Sequence, residues 1–348
     1  MMRSPLVRLM LGALIALAGI SACASGDTPA PPSGAGPLRL ATSVARWAAP
    51  AHPDRRPSWS SPALAKAKGP LLFVSDSGTA SVYIYSLSTL QLLSTITGLD
   101  QPQGECSNAH GDVWITDTNA AEVYEVTHHG QLENELAVPD GYPVGCAWDK
   151  KTGTLAVMEL FNGSGGQGAI LLYKGGSGSP VSITNPEQYY YNFGGYDPRG
   201  NLFVDGRAAN GTFMLSELPK GQKTAYTLAV SGGTIYFPGM VQWDPSTANL
   251  VVGDQSCANT YASCVYALKL GGSTATITGS TTFLNYSGGG VCDLVQGVIF
   301  NNRIAGSDND FCGSTASATY TWSYPAGGKA SAYNNSTDVT PVGAAISQ

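Results

Sequence analysis

The sequence predicts an all-β chain folded as a six-bladed β-propeller over residues 69–348. Three observations predict it. A short apolar strand ending near an acid recurs six times: Leu72-Phe73-Val74-Ser75-Asp76, Val113-Trp114-Ile115-Thr116-Asp117, Leu155-Ala156-Val157-Met158-Glu159, Leu202-Phe203-Val204-Asp205, Leu250-Val251-Val252-Gly253-Asp254 and Ile304-Ala305-Gly306-Ser307-Asp308. A further β-rich segment follows each copy, at 82–85, 123–126, 169–173, 213–218, 264–268 and 319–324. Finally, 43 glycines and only 12% charged residues describe a turn-rich β chain. Repeats of roughly 40–50 residues, each holding several short strands, are the mark of propeller blades.

From the N-terminus, Arg3 and Arg8 precede or adjoin an apolar stretch at 9–20 that is too short to span a bilayer. Residues 1–22 are expected to be a signal peptide. The stretch ends in Ile20-Ser21-Ala22-Cys23, which resembles the lipobox of bacterial lipoproteins and implies cleavage before Cys23 and its acylation. At about 0.8 kcal/mol per buried methylene, two or three acyl chains would hold the protein on a membrane where one would not. The expected location is therefore the extracytoplasmic side of the bacterial cell envelope. Residues 24–38, rich in Ala, Ser, Gly and Pro, suit a flexible tether. The segment continues to 68, with Trp47 and Trp59 expected to dock on the domain and a short helix expected near 62–68.

The clearest blade is residues 102–126. A proline and glycine lead into an inner strand, a polar turn follows, and two strands with β-branched residues and alternation come next, the pattern of half-buried strands. The turn before the second strand carries an aromatic followed by aspartate in Trp148-Asp149, Tyr196-Asp197 and Trp243-Asp244, spaced by roughly 47–48 residues. Inner strands open on Pro102-Gln103-Gly104, Pro143-Val144-Gly145, Pro238-Gly239 and Gln296-Gly297. Blade one has no such segment before Leu71, but Pro341-Val342-Gly343-Ala344-Ala345-Ile346 repeats the pattern. Residues 341–347 are therefore expected to be the inner strand of blade one, closing the ring and removing its free edges.

Residues 102–126 resemble an NHL repeat, and residues 69–348 resemble the NHL and gluconolactonase-like (SMP-30-like) six-bladed propellers. That resemblance implies the fold rather than the activity, because the fold hosts binders, scaffolds and enzymes. In such propellers the loop entering the inner strand and the turn joining strands two and three share the face around the channel mouth. Asp76, Asp117, Glu159, Asp254 and Asp308 would stand there, with Asp205 one place early in blade four. A ring of acids suits a cation or a cationic ligand. The competing reading is that each aspartate accepts backbone N–H groups in the following turn, and repetition in every blade favours it. Gluconolactonase-like enzymes hold a divalent cation at the channel, where it polarises a lactone carbonyl. Glu105 and Asp293 match by position, with Asn108 and Asn192 as candidate ligands, but the family's Glu-Gly-Pro segment is absent. Gln103 and Gln296 complete the candidate binding residues, and Tyr190 of Tyr189-Tyr190-Tyr191 would offer aromatic surface to a sugar or peptide.

Cys23 aside, six cysteines remain, an even number in a chain expected to be exported. Spacing leaves their connectivity open. Placed on propeller blades, Cys257 would pair with Cys264, Cys292 with Cys312, and Cys106 with Cys146 across blades two and three. No CxxC pair or histidine cluster suggests zinc. A net charge of -6 without a basic stripe argues against nucleic acid. The expectation is a monomeric, lipid-anchored, non-catalytic binding or scaffold module for a protein, glycan or small-molecule ligand, requiring no cofactor. The alternative is a calcium-dependent lactone hydrolase.

Overall fold

Strands buried on both faces need a neighbour on each side, and this chain supplies it by arranging its sheets radially. The computed structural model describes residues 58–59, 64–139, 141–260, 262–309 and 316–348. Six sheets form the blades of a propeller. Blade two is Pro102–Ser107, Val113–Asp117, Glu122–Val126 and Leu132–Ala137, from channel to rim, and the other blades repeat that antiparallel meander.

Second strands such as Leu71–Asp76 are buried along their whole length, not on one face. Alternation then sorts their side chains between two seams. Leu71 and Phe73 join Val113, Ile115 and Tyr124 between blades one and two. Leu72 and Val74 join Ala305 and Ile346 between blades one and six. Similar apolar clusters fill each of the remaining seams, and Trp114 stacks on Trp148 across blades two and three at 6.2 Å. The apolar runs expected to be half-buried are therefore continuous cores.

The proline-glycine signature marks a β-bulge. Pro102 pairs with Asp117 but Glu105 with Ile115, so the inner strand carries one residue more than its partner. The same one-residue excess occurs between Tyr191 and Gly194, Pro238 and Val241, and Leu294 and Gly297. Glycine is required where the bulge meets the next blade. A Cβ on Gly104 would lie 2.5 Å from Val144 O, and one on Gly195 2.6 Å from Val241 O.

The ring closes through the C-terminus. Ala345–Ser347 pairs antiparallel with Leu71–Asp76, as Phe73 with Ala345, Leu72 with Ile346 and Leu71 with Ser347. Asp76 bridges Pro341, and Val342 and Gly343 both donate to Ser75 O, so the bulge occupies the middle of the closing segment and the regular strand is only its last part. Blade five departs from the repeat. Its outer strand Thr274–Leu284 takes two further strands in parallel, Ala229–Ser231 and Gly328–Lys329, so neighbouring connections lace onto its rim. Before the ring, Leu64–Lys66 forms one 3-10 turn, Leu64 is buried in the first seam, and Trp59 packs on Tyr124 at 5.0 Å. Cys23, Trp47 and Cys312 lie outside the described residues.

Candidate functional site

The two faces of the ring differ in what the turns do with their polar groups. On the upper face, where the chain enters each inner strand, the carboxylates that end the second strands hold backbone. Asp117 accepts from Asp100 N at 2.9 Å and Gln101 N at 2.6 Å. Asp254 accepts from Tyr236, Phe237 and Ser256, and Asp308 from Cys292. Asp76 takes Gly78 and Thr79 of its own turn and Val339 and Thr340 of the incoming one. These acids mostly fasten the loop that leads into their own inner strand, about 16 residues upstream in blades two, five and six, as well as the turn that follows. Asp205 joins blades instead, accepting from Phe193 N and Gly239 N, and burial raises its carboxyl well above the usual range. Burial also pushes Asp117 up to about 6, against the pull of its two N–H donors.

Glu159 is buried with its carboxyl against Gly141, and Asp293 accepts from Asn309 Nδ2 at 2.8 Å. Tyr190 packs edge-on to Tyr189 and against a small cluster of Val144, Leu160 and Phe161. Gln103 presents its carbonyl to Gly343. Asn108 caps its own turn through His110 N and Asp112 N, and Asn192 gives its carbonyl to the close approach of Gly145. His128 and His129 contact the segments on either side of the blade repeats: His128 Nδ1 contacts Ser347 Oγ at 2.7 Å and His129 Nδ1 contacts Leu64 O at 3.0 Å.

On the lower face, among the turns joining inner to second strands, lies a cavity of about 770 Å³. Its walls are the ends of all six inner strands, and exposed Lys150, Lys151, Pro198 and Pro245 stand at its mouth. Of the binding residues expected from sequence, the cavity takes Glu105, Gln296 and the candidate ligand Asn108; Gln103, Asp117, Glu159, Tyr190, Asn192, Asp254, Asp293 and Asp308 are not among its walls.

Glutamine amides brace the inner end. Gln296 Nε2 donates to Glu105 O at 2.7 Å while its Oε1 accepts from Glu105 N at 2.9 Å and Ala344 N at 3.1 Å. Gln242 does the same for Ile299, donating to its carbonyl and accepting its N–H. Each amide thus replaces a strand partner at an inner edge that has none. Gln242 was not among the residues singled out from sequence, although an amide within an apolar inner strand, Val241-Gln242-Trp243, was its visible signal. Glu105 lines the cavity's end, but its carboxyl is buried: the Ser75 hydroxyl donates to Oε1 at 2.6 Å.

Cys106–Cys146 is a disulfide joining the inner strands of blades two and three, and Cys257–Cys264 closes a loop in blade five. Cys292 is also disulfide-bonded, and its expected partner Cys312 is outside the described residues. Such bridges persist in oxidising compartments, which points to an extracytoplasmic location. One acidic group, Asp112, Glu125 and Glu133, has oxygens within 4.8 Å of one another among the described residues, and none of the three lines the cavity.

No family model and no curated protein matches the chain. Solved structures do. A chain of a nidogen/laminin complex superposes with a TM-score of 0.62 at 14% identity, over 80% of this chain and 99% of that one. A protein of unknown function from Bacteroides caccae gives 0.59 at 13% identity, over 81% of this chain and 100% of its own. At such identities the likeness is one of fold.

Proposed function

We propose that this protein is a non-catalytic binding or scaffold module, lipid-anchored through Cys23 on the extracytoplasmic side of a bacterial envelope, and that its ligand enters the lower-face cavity. The observation that carries the reading is the cavity itself: an open space of about 770 Å³, within the range that accepts small ligands, walled by six rigid inner strands. The upper face favours it by contrast, since Asp76, Asp117, Asp205, Asp254 and Asp308 there are engaged with backbone. The propeller in the nidogen/laminin complex belongs to an assembly of proteins, and a partner's loop reaching into the cavity is as compatible with these walls as a glycan or a small molecule.

The kinship to NHL and gluconolactonase-like propellers suggested from sequence raises calcium-dependent lactone hydrolysis as the alternative. The donor set favours binding. Of the acidic side chains lining the cavity, Glu105 turns its carboxyl into a seam and Asp149 and Asp197 cap their own turns, while Gln296 Oε1 already accepts two N–H groups and Asn108 Oδ1 accepts two more. A divalent ion needs several free oxygens facing it, and these are engaged or turned away from the cavity.

The test uses the full chain on glycan and peptide arrays, beside Lys151→Trp and Pro245→Trp at the mouth. Saturable binding weakened at least tenfold by both substitutions, with melting temperature unchanged, is expected. Binding indifferent to both would move the ligand off the cavity. A calcium-dependent rise in melting temperature together with turnover of a lactone panel would replace this reading with the hydrolase. For the anchor, Cys23→Ser should abolish incorporation of labelled palmitate and release the protein from membranes; retained label would refute acylation there.

A further inference from the structure

We propose that the strand closing the ring is a proton-dependent latch, shut while the Glu105 side chain is uncharged and loosened when it ionises. The geometry places this carboxyl in the seam between blades one and two, 1% exposed, where the Ser75 hydroxyl donates to Oε1 and Oε2 has no hydrogen-bond partner of ordinary geometry. The groups that meet it are uncharged, the Ser75 hydroxyl from the second strand of blade one and the Ala345 backbone from the closing strand, while Gln296 from blade six bonds the Glu105 backbone and Thr116 donates to Gly104 O.

A carboxylate taken out of water with no cation beside it is costly, and the cost falls on whichever cover is thinnest. Here that cover is the closing strand. Its regular part is held to blade one by three residue pairs, preceded by the Val342 and Gly343 bonds to Ser75 O, and the Gln296 amide joins Ala344 to the backbone of Glu105 itself. On its other side lies the open cavity, which Ala344, Ala345 and Ile346 also line. Displacing this strand would admit water to Glu105 and widen the cavity's inner end.

Other titratable groups touch the closure at a distance from Glu105. His128 meets Ser347, whose hydroxyl donates to Gly111 O; burial and the adjacent His129 lower its pKa, while Asp112 acts the other way. Asp76 holds Val339 and Thr340, and Asp338 bonds Tyr85 and Thr319, with burial raising its carboxyl. These fasten the two ends of the closing segment, while its middle is held by backbone bonds from Val342 and Gly343 to Ser75 O and from Ala344 to the Gln296 amide, beside Glu105.

The sign follows from burial, which pushes Glu105 up to about 8 while the Ser75 hydroxyl and the Ala345 N–H pull the other way. Once the strand is displaced, the carboxyl returns to the ordinary value of about 4.3. The closed form therefore holds the extra proton, so the latch is tightest below about pH 4. Opening grows about tenfold per pH unit up to about 8 and levels off beyond.

Hydrogen exchange of the C-terminal peptide covering Ala344 to Ser347, measured on the full chain from pH 5 to 9 and corrected for intrinsic exchange, tests this. Protection should fall about tenfold per unit to pH 8 and then flatten, and Glu105→Gln should remove the slope. Protection independent of pH in the natural protein, or a slope that survives in E105Q, overturns the latch. If E105Q does not fold, Ser75→Ala serves. It removes a group that favours ionisation, so the slope should extend to higher pH; an unmoved upper limit would refute the role of Glu105.

Discussion

The upper and lower faces of this ring are built from the same six repeats and do opposite things with them. Above, each second strand carries an acid at or near its end, and in blades one, two, five and six that acid grips the backbone of the loop entering its inner strand. Below, the turns carry acids that cap only themselves: Asp149 accepts from Lys151 N and Thr152 Oγ1, and Asp197 from Arg199 N and Asn201 N. That leaves the middle of the lower face open. A residue repeated in every blade answers a need that every blade has, which is a structural need. A ligand site is made where the repeats leave space.

The largest expected effect comes from breaking the upper face at the closure. Removing residues 340–348 strips the inner strand from blade one and exposes its edge, and should lower the melting temperature by about 10 °C or more. An unchanged melt would mean that the ring is held by its seams alone. Next, Asp254→Ala leaves three backbone N–H groups without their acceptor and should cost about 2–4 kcal/mol in urea denaturation, with ligand binding below unaffected in the folded fraction. A cost under about 0.5 kcal/mol would show that water replaces the carboxylate and that the contrast between faces is overstated.

Smaller again is Gly104→Ala, which should cost about 1–3 kcal/mol because its Cβ meets Val144 O; Gly279→Ala, with nothing within 4 Å of the added methyl, should stay within about 0.5 kcal/mol. Equal effects would separate the bulge glycine from inter-blade packing. The smallest stability change is expected at the lower mouth, where Lys151→Trp alters an exposed side chain and should move only binding.

Much of this was legible in the residues. Leu72-Phe73-Val74 and its five counterparts marked the second strands, and Pro341-Val342-Gly343 marked the closure, because strand patterns and bulges are local. The depth of burial was not. An apolar run buried on one face and one buried on both differ in their neighbours, and those come from another blade. For the same reason Asp117 could be read as a turn acid, but not as the clamp on Asp100 and Gln101. Of the binding residues expected, Glu105 and Gln296, with the candidate ligand Asn108, reached the cavity, and the acids that end or near the end of second strands did not.

By itself, the sequence determined six blades, their strand order and the segment that closes them, since each follows from local patterning repeated often enough to be recognised. Tertiary structure alone decided that the cavity lies among the lower turns, how Ala229–Ser231 and Gly328–Lys329 lace onto the rim of blade five, and that Glu105 turns its carboxyl into a seam. Those outcomes depend on which groups meet across blades distant in the chain. The pairing of Glu105 with Ser75, Gln296 and Ala345 exists only once the ring has shut.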